Sequence, residues 1–443
     1  MVTGQQVLAY RQLVDADELF LPSTYADGVP YELLRELRAS SPVCRVAEPA
    51  VGNWPAGPGY WAVLRHADVR SVLRQPDIFS SWLGATQITD PDTAEDLAFV
   101  RTMMLNQDPP AQARLRRIVA GAFTPRAVRE LEAVIEQRAA QLVEDLAEQL
   151  ADGGPVDFVP VAADLPVRTL AHLLGVPEQD RPLLTDWANR VIGYQDDEYA
   201  ASATADPAAL SPCGRRALDQ RPGPLTRPDG RPMSPRSREA LADMFGYAHA
   251  LAEQPSPGSV LAQMLAGGLE SAEFETMFFL FAVAGNETLR NGIPGGLHVL
   301  LNHPEQYAAL RRRPDLVDTA VEELLRYWPP VMNFRRTATR DTELGGHRIR
   351  RGDKVVVYHA SANRDPDVFA DPDRLDLTRH PNDHLSFGFG PHVCLGAHLA
   401  RTQMRAVLRQ LATRLPALAP AGDPVRLAST FQNGLKHLPV RVR

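Results

Sequence analysis

The sequence has little cysteine, little net charge and no long apolar run, and each shortage excludes something. Its 443 residues include three cysteines, Cys44, Cys213 and Cys394, with no CxxC pair. A disulfide framework is excluded, as is a structural zinc site, which needs about four clustered nitrogen or sulfur ligands. A plant-type [2Fe–2S] cluster needs about four cysteines and falls on the same count. No GxGxxG follows a strand and opens a helix, so no dinucleotide-binding fold is expected. The formal net charge of −7 gives no reason to expect a nucleic-acid partner. The strongest apolar run, residues 277–284, is too short to cross a bilayer and is flanked by Glu275 and Glu287. Residues 1–18 carry no apolar stretch behind a basic start. Neither a membrane anchor nor a signal peptide is expected, and scattered free cysteines fit a cytoplasmic chain.

Apolar residues make up 44% of the chain and no Ser/Gly-rich or charged linker divides it, so residues 1–443 read as one large domain. Residues 60–64 read as a short strand, followed by a helix over 67–73 that Pro76 ends. Helical spacing covers 112–123, 127–151 (Leu131, Val134, Leu142 and Leu146 near one face), 178–192, 237–253 and 270–301. Residues 354–358 read as strand. The reading is mainly α with small sheets. Residues 206–236 hold seven prolines and few large apolar side chains, a composition that excludes a regular helix or core strand. They read as an exposed insertion, spanning about 200–236; the resemblance to a known family drawn below implies, as a second reading, an enlarged lid loop between two helices.

Seven residues stand apart: Phe387, Gly388, Phe389, Gly390, His392, Cys394 and Gly396, running into a helical segment with Leu399, Leu408, Leu411 and Leu415. Glycines let the backbone approach a flat object closely. The following helix aims free N–H groups and its positive end at the sulfur, which favours thiolate over thiol. Such a thiolate can be a nucleophile, a zinc ligand or the axial ligand of a haem. The zinc site lacks ligands, and nothing orients His392 or His398 as a base for a nucleophile. The spacing FGxGxHxCxG resembles the haem-ligand loop of soluble bacterial, actinobacterial-type cytochromes P450. The resemblance runs from about Tyr60 to Lys436.

The resemblance implies the triangular P450 fold, with haem b held between a long central helix and the cysteine-loop helix, and Cys394 on the iron. Ala284-Gly285-Asn286-Glu287-Thr288 resembles the family's oxygen-activating segment. From the residues alone, an exposed Glu and a back-bonded Thr are equally admissible. By the resemblance Thr288 hydrogen-bonds dioxygen, Glu287 passes protons inward, and Ala284 and Gly285 leave room above the ring. Splitting O₂ needs protons delivered to the distal oxygen. Glu323-Leu324-Leu325-Arg326 places a carboxylate and a guanidinium three apart. With Arg364 they resemble the family's buried ionic triad, whose broken form costs about 3–5 kcal/mol. Arg116, Arg336 and His392 are implied as cationic donors to the haem propionates. Gln112 stands where the family often has histidine, and is expected to donate a hydrogen bond there without a charge. Phe387, Gly388 and Gly396 complete the cofactor loop. Substrate contacts are expected from residues 82–88 with Trp82 and Ile88, from Phe281 and Ala284, from residues 331–334 (Val331, Met332, Phe334), and from Phe431.

With no second redox module in the sequence, electrons are expected from NAD(P)H through a ferredoxin reductase and a ferredoxin. Arg114, Arg117, Arg401 and Arg405 are candidates to receive an acidic partner. The expectation is a monomeric haem-thiolate monooxygenase hydroxylating an apolar or amphipathic lipid, sterol, terpenoid or secondary metabolite. Its rivals are a P450 performing epoxidation or ring formation, a peroxide-driven member, and a haem-thiolate protein that binds ligands without oxidising them. The Glu287-Thr288 pair disfavours the peroxide route.

Overall fold

The computed structural model describes residues 15–442 apart from 53, 193–195, 197, 199–204, 224–225, 227–229, 231–232 and 416. Helices predominate. The helix Pro125–Ala151 starts where Thr124 accepts a hydrogen bond from the Ala127 N–H and proline fills the first turn. Its buried residues, among them Val128, Ile135, Leu142 and Leu146, recur at three- and four-residue steps, the apolar stripe that drives it onto its neighbours. It packs against Phe158–Leu174 and against Ala397–Arg414. The central helix, Ser271–Leu301, opens with a reciprocal capping box between Glu270 and Glu273. Phe274, Met277, Phe278, Phe281 and Ala282 are all buried, so this helix is covered on most sides and passes through the main core.

A five-stranded sheet lies beside the helices in the order Val43–Val46, Tyr60–Val63, Lys354–Tyr358, Asn333–Ala338, Phe79–Ser80. Tyr60–Val63 and Lys354–Tyr358 run parallel, and the other pairs are antiparallel. Every residue of Lys354–Tyr358 is buried, as expected of a strand covered on both faces. The sheet brings segments from residues 79 to 90 and 331 to 338 against the central helix, where they wall a cavity.

The proline-rich stretch departs from its composition. Pro212–Asp219 is an eight-residue helix, with Ser211 capping the Gly214 N–H at 3.1 Å. Ser211 is in turn held by the buried Asp180, which accepts its backbone N–H at 2.8 Å and the Tyr247 hydroxyl at 2.9 Å. Prolines forbid helix interiors but suit first turns, and here one sits in that position. Further on, Met233, Ser234, Pro235, Arg236 and Ser237 face the cavity. Residues 200–204, 224–225, 227–229 and 231–232 of the stretch, and residues 1–14 of the N-terminal segment, lie outside the described residues. Among the described residues no helix is long and apolar enough to cross a membrane.

Candidate active site

The cysteine loop is closed by its own backbone. The Cys394 N–H donates to the Phe387 carbonyl at 2.8 Å, Gly388 to Leu385 at 2.8 Å, and Val393 to Gly390 at 3.1 Å. Gly390 has φ +71°, and a Cβ there would lie 2.5 Å from the Leu73 carbonyl oxygen, so only glycine fits. Phe387 packs under the Arg401 guanidinium, 4.4 Å from the ring centre. Cys394 is exposed by surface area although protein surrounds it. Burial pushes its thiol up, outweighing the Gly396 N–H, Arg116 and Arg401, which pull it down. The helix end does point at the sulfur, but desolvation reverses the net direction expected from the sequence; deprotonation is left to a bound metal.

The segment that resembles the family's oxygen-activating one lies on the central helix. Ala284 and Gly285 are exposed midway along a mostly buried helix, and a Cβ on Gly285 would meet Leu170 at 3.0 Å, so that glycine serves close helix packing. The Thr288 hydroxyl donates to the Ala284 carbonyl at 2.9 Å while lining the cavity. Back-bonding was one reading of the sequence; an exposed glutamate was not realised. Glu287 is fully buried, takes one hydrogen bond from Arg290 at 3.2 Å, and leaves Oε2 without a partner. Burial raises its carboxyl, with Arg290 opposing. Both amide atoms of the adjacent buried Asn286 are unpartnered as well.

Of the expected cationic rim, Arg336 is buried and donates only to the Arg335 carbonyl, at 2.8 Å. Burial lowers it to about 10, against the pull of Asp108, so it stays charged. Burial, then Arg336 and Arg116, push the His392 imidazole down to about 3, and its Nε2 lies 3.3 Å from the Ser81 hydroxyl. Nor does Gln112 face outward. Its amide donates to the Pro391 carbonyl at 3.0 Å and ties the cysteine loop to the helix Ala111–Val119.

The ionic triad has a different third member. Arg326 binds Glu323 through two nitrogens at 2.7 and 2.8 Å, and both side chains are fully buried. Glu323 also accepts from the Arg379 Nε, Asn382 and the Asp376 N–H. Arg364 does not reach it. That guanidinium bonds Asp373 at 2.7 Å and lies between the rings of Tyr31 and Tyr327. No spacing rule flagged Arg379, which pairs with Glu323 only through the chain's return.

A cavity of about 450 Å³ adjoins Ala284 and Thr288. Val331, Phe334 and Phe431 line it as expected, joined by Phe279, Leu280 and Val283. Phe281 does not; its ring stacks on Phe123 in the core, 5.7 Å between centres. Met332 is buried with Phe20 and Tyr358 instead, Ile88 lines a small adjoining recess, and Trp82 points outward under Arg101, 4.0 Å away. From that segment Ala85, Thr86 and Gln87 supply the wall. Of the arginines proposed for a partner, Arg114 pairs with Glu273, Arg401 with Glu322 at 2.6 Å and Arg405 with Asp318 at 2.9 Å. Arg70 and Arg74, not anticipated, lie over Phe389 of the cysteine loop.

The chemistry fits a flat, dianionic, metal-centred ring. There is a soft sulfur ligand on a glycine loop, an exposed Ala284 on the wall of a cavity, and a buried arginine, Arg336, with no carboxylate bonded to it among the described residues.

Comparison with known proteins agrees. Residues 259–431 match the Cytochrome P450 family. The chain is 35% identical over 451 residues to a steroid C26-monooxygenase of Rhodococcus jostii, covering 99% of this chain and 87% of the relative. It is 34% identical over 442 residues to linalool 8-monooxygenase of Pseudomonas putida, covering 96% and 99%. A Mycobacterium marinum cytochrome P450 solved in complex with pseudoionone superposes with TM-score 0.77 at 37% identity, covering 93% of this chain and 94% of the other. Sulfur loop, central helix and near full-length likeness together place the chain in the cytochrome P450 family, as a monooxygenase.

Proposed function

We propose that this monooxygenase, folded as one domain, hydroxylates an apolar or amphipathic molecule of terpenoid, steroid or branched-lipid size. One observation carries the reading: the 450 Å³ cavity has Ala284 and Thr288 in its wall and Phe279, Leu280, Val283, Val331, Phe334 and Phe431 around it. That volume is in the range that encloses a small ligand almost wholly. The relatives that act on steroids and on linalool point to the same class of substrate.

Haem, which the family uses with O₂, supplies oxygen binding and its reductive activation. Cys394 Sγ is the residue that would hold the metal, with Gly388 and Gly396 flanking it, and Arg336 and Arg116 would face the propionates. The apolar wall holds a C–H bond near the reacting centre and excludes water from it. Proton supply falls to Thr288 Oγ1 at the cavity and Glu287 Oε2 behind it. A carboxyl with a raised pKa and a bare oxygen can take up and release a proton, which a saturated carboxylate cannot. Electrons are proposed to come from NAD(P)H by way of a reductase and a ferredoxin. The ferredoxin would dock where Arg70 and Arg74 lie over Phe389 of the cysteine loop.

A spectral titration of the ferric protein with terpenoids, steroids and fatty acids tests the substrate class. Terpenoids or steroids should shift the Soret band at micromolar concentration and give hydroxylated product with ferredoxin, reductase and NADPH. Turnover by peroxide alone, or response to none of these ligands, overturns the proposal. Cys394→Ser should remove the thiolate-type carbon monoxide spectrum.

A further inference from the structure

Outside the expected rim one group is conspicuously unsatisfied. His359 follows the strand Lys354–Tyr358 and opens the short helix His359–Ala362. Its side chain is buried, and among the described residues neither ring nitrogen makes a well-formed hydrogen bond, although the Val331 carbonyl lies near enough to pull its pKa up against burial. A buried polar group left unmade costs about 1–3 kcal/mol, so native proteins rarely leave a whole imidazole that way. Beside it stands Arg336, buried and without a bonded carboxylate, its nearest opposite charge Asp108 being engaged by Ser80 and Ser81. A lone histidine and a lone guanidinium at the same place lack the same thing: an acceptor carrying negative charge.

We propose that His359 donates a hydrogen bond to a haem propionate, sharing that carboxylate with Arg336. The two arginines Arg336 and Arg116 balance the charge of two propionates, and what remains to be filled is lone pairs. Gln112, expected to fill one, gives one of its two amide N–H groups to Pro391 and keeps a single donor for it. A neutral imidazole suits the vacancy in that donor set, and burial, with Arg336 second, holds His359 down at about 4. A carboxylate could in principle come from substrate as well. His359 does not line the cavity, however, and Phe334, which does, packs across its ring at 6.0 Å. The propionate is therefore the source inferred. The inference rests on the family's haem and not on the proposed substrate class.

The test is haem loss. Wild type, His359→Phe and His359→Gln are loaded with haem or with haem dimethyl ester, and release to apomyoglobin is timed. A hydrogen bond to a charged group is worth about 1.5–3 kcal/mol, so His359→Phe should release haem roughly tenfold faster or more. His359→Gln should lie near wild type, because the amide still donates. With the ester, whose carboxylates are masked, the His359→Phe and wild-type rates should converge. Equal release of haem by wild type and His359→Phe overturns the proposal, as does the same acceleration with haem and ester, which would mean packing alone. A His359→Phe protein that releases haem normally but loses fatty-acid affinity assigns the contact to substrate and also overturns it. His359→Leu repeats the comparison if the phenyl ring prevents folding. Substrate binding enters none of the rates, so the result is independent of the hydroxylation reading.

Discussion

Two of the chain's Glu-x-x-Arg patterns place the carboxylate in the interior, and those two behave in opposite ways. Glu287 and Arg290 on the central helix, and Glu323 and Arg326 on Val317–Tyr327, are each a buried carboxylate with an arginine three residues on. Around Glu323 both oxygens are used, by Arg326, Arg379, Asn382 and a backbone N–H. Around Glu287 a single hydrogen bond reaches one oxygen, the other is bare, and Arg290 is shared with Asn189. A saturated carboxylate is fixed in charge and place. A half-satisfied one, pushed up by burial, is poised to gain or lose a proton. The surroundings separate scaffold from chemistry; the ExxR spacing does not.

If that contrast is right, matched substitutions should separate stability from turnover. Glu323→Gln strands the buried Arg326 and should lower stability by about 3–5 kcal/mol, visible as a reduced urea midpoint and reduced haem content. Glu287→Gln removes a charge that had little compensation, so its urea midpoint should stay within about 1 kcal/mol of wild type. Its turnover should fall by about 100-fold or more, with the lost electrons appearing as reduced oxygen species instead of product. A stable, inactive Glu323→Gln beside an unstable Glu287→Gln would reverse the assignment. Arg364→Lys is the intermediate case. It loses the stack between Tyr31 and Tyr327 but leaves Glu323 saturated, so a drop of about 1–2 kcal/mol with full haem content is expected in thermal unfolding and the pyridine haemochrome assay.

The sequence made some of this legible and hid the rest for physical reasons. The cysteine loop stood out because glycines crowd around one sulfur, whereas the Ala284–Thr288 segment admitted an ordinary reading as well and was singled out only by its resemblance to a family motif. Arg379 could not, since the turn that carries it to Glu323 is a tertiary event 56 residues downstream. Phe281 was placed in the cavity and Phe279 and Leu280 were not, because residues 277–284 are apolar throughout and periodicity cannot choose a face on a helix buried all round. The helix Pro212–Asp219 was masked by proline count, although Ser211 followed by proline is itself a helix start.

The smallest expected effect is a difference in pH dependence, and it checks the contrast without any assay of activity. Glu322, clamped by Arg401 and His384 despite its burial, has a carboxyl at about 2. Its stabilisation is present above the ordinary carboxyl range and fades as pH falls towards 2. Glu287 has the opposite sign. Its folded pKa lies above the ordinary 4.5, so the native state holds the proton more tightly than the unfolded chain, and stability falls as pH rises from 4.5 through the folded value. Glu287→Gln cannot titrate and lacks that slope. The stability of Glu287→Gln relative to wild type should therefore climb with pH above 4.5 and then level off, while Glu322→Gln should differ from wild type less and less as acid is added. Parallel wild-type and Glu287→Gln curves would mean that Glu287 ionises as an ordinary surface acid does. The bare Oε2 would then be no proton carrier, and the distinction between the two ExxR pairs would fail.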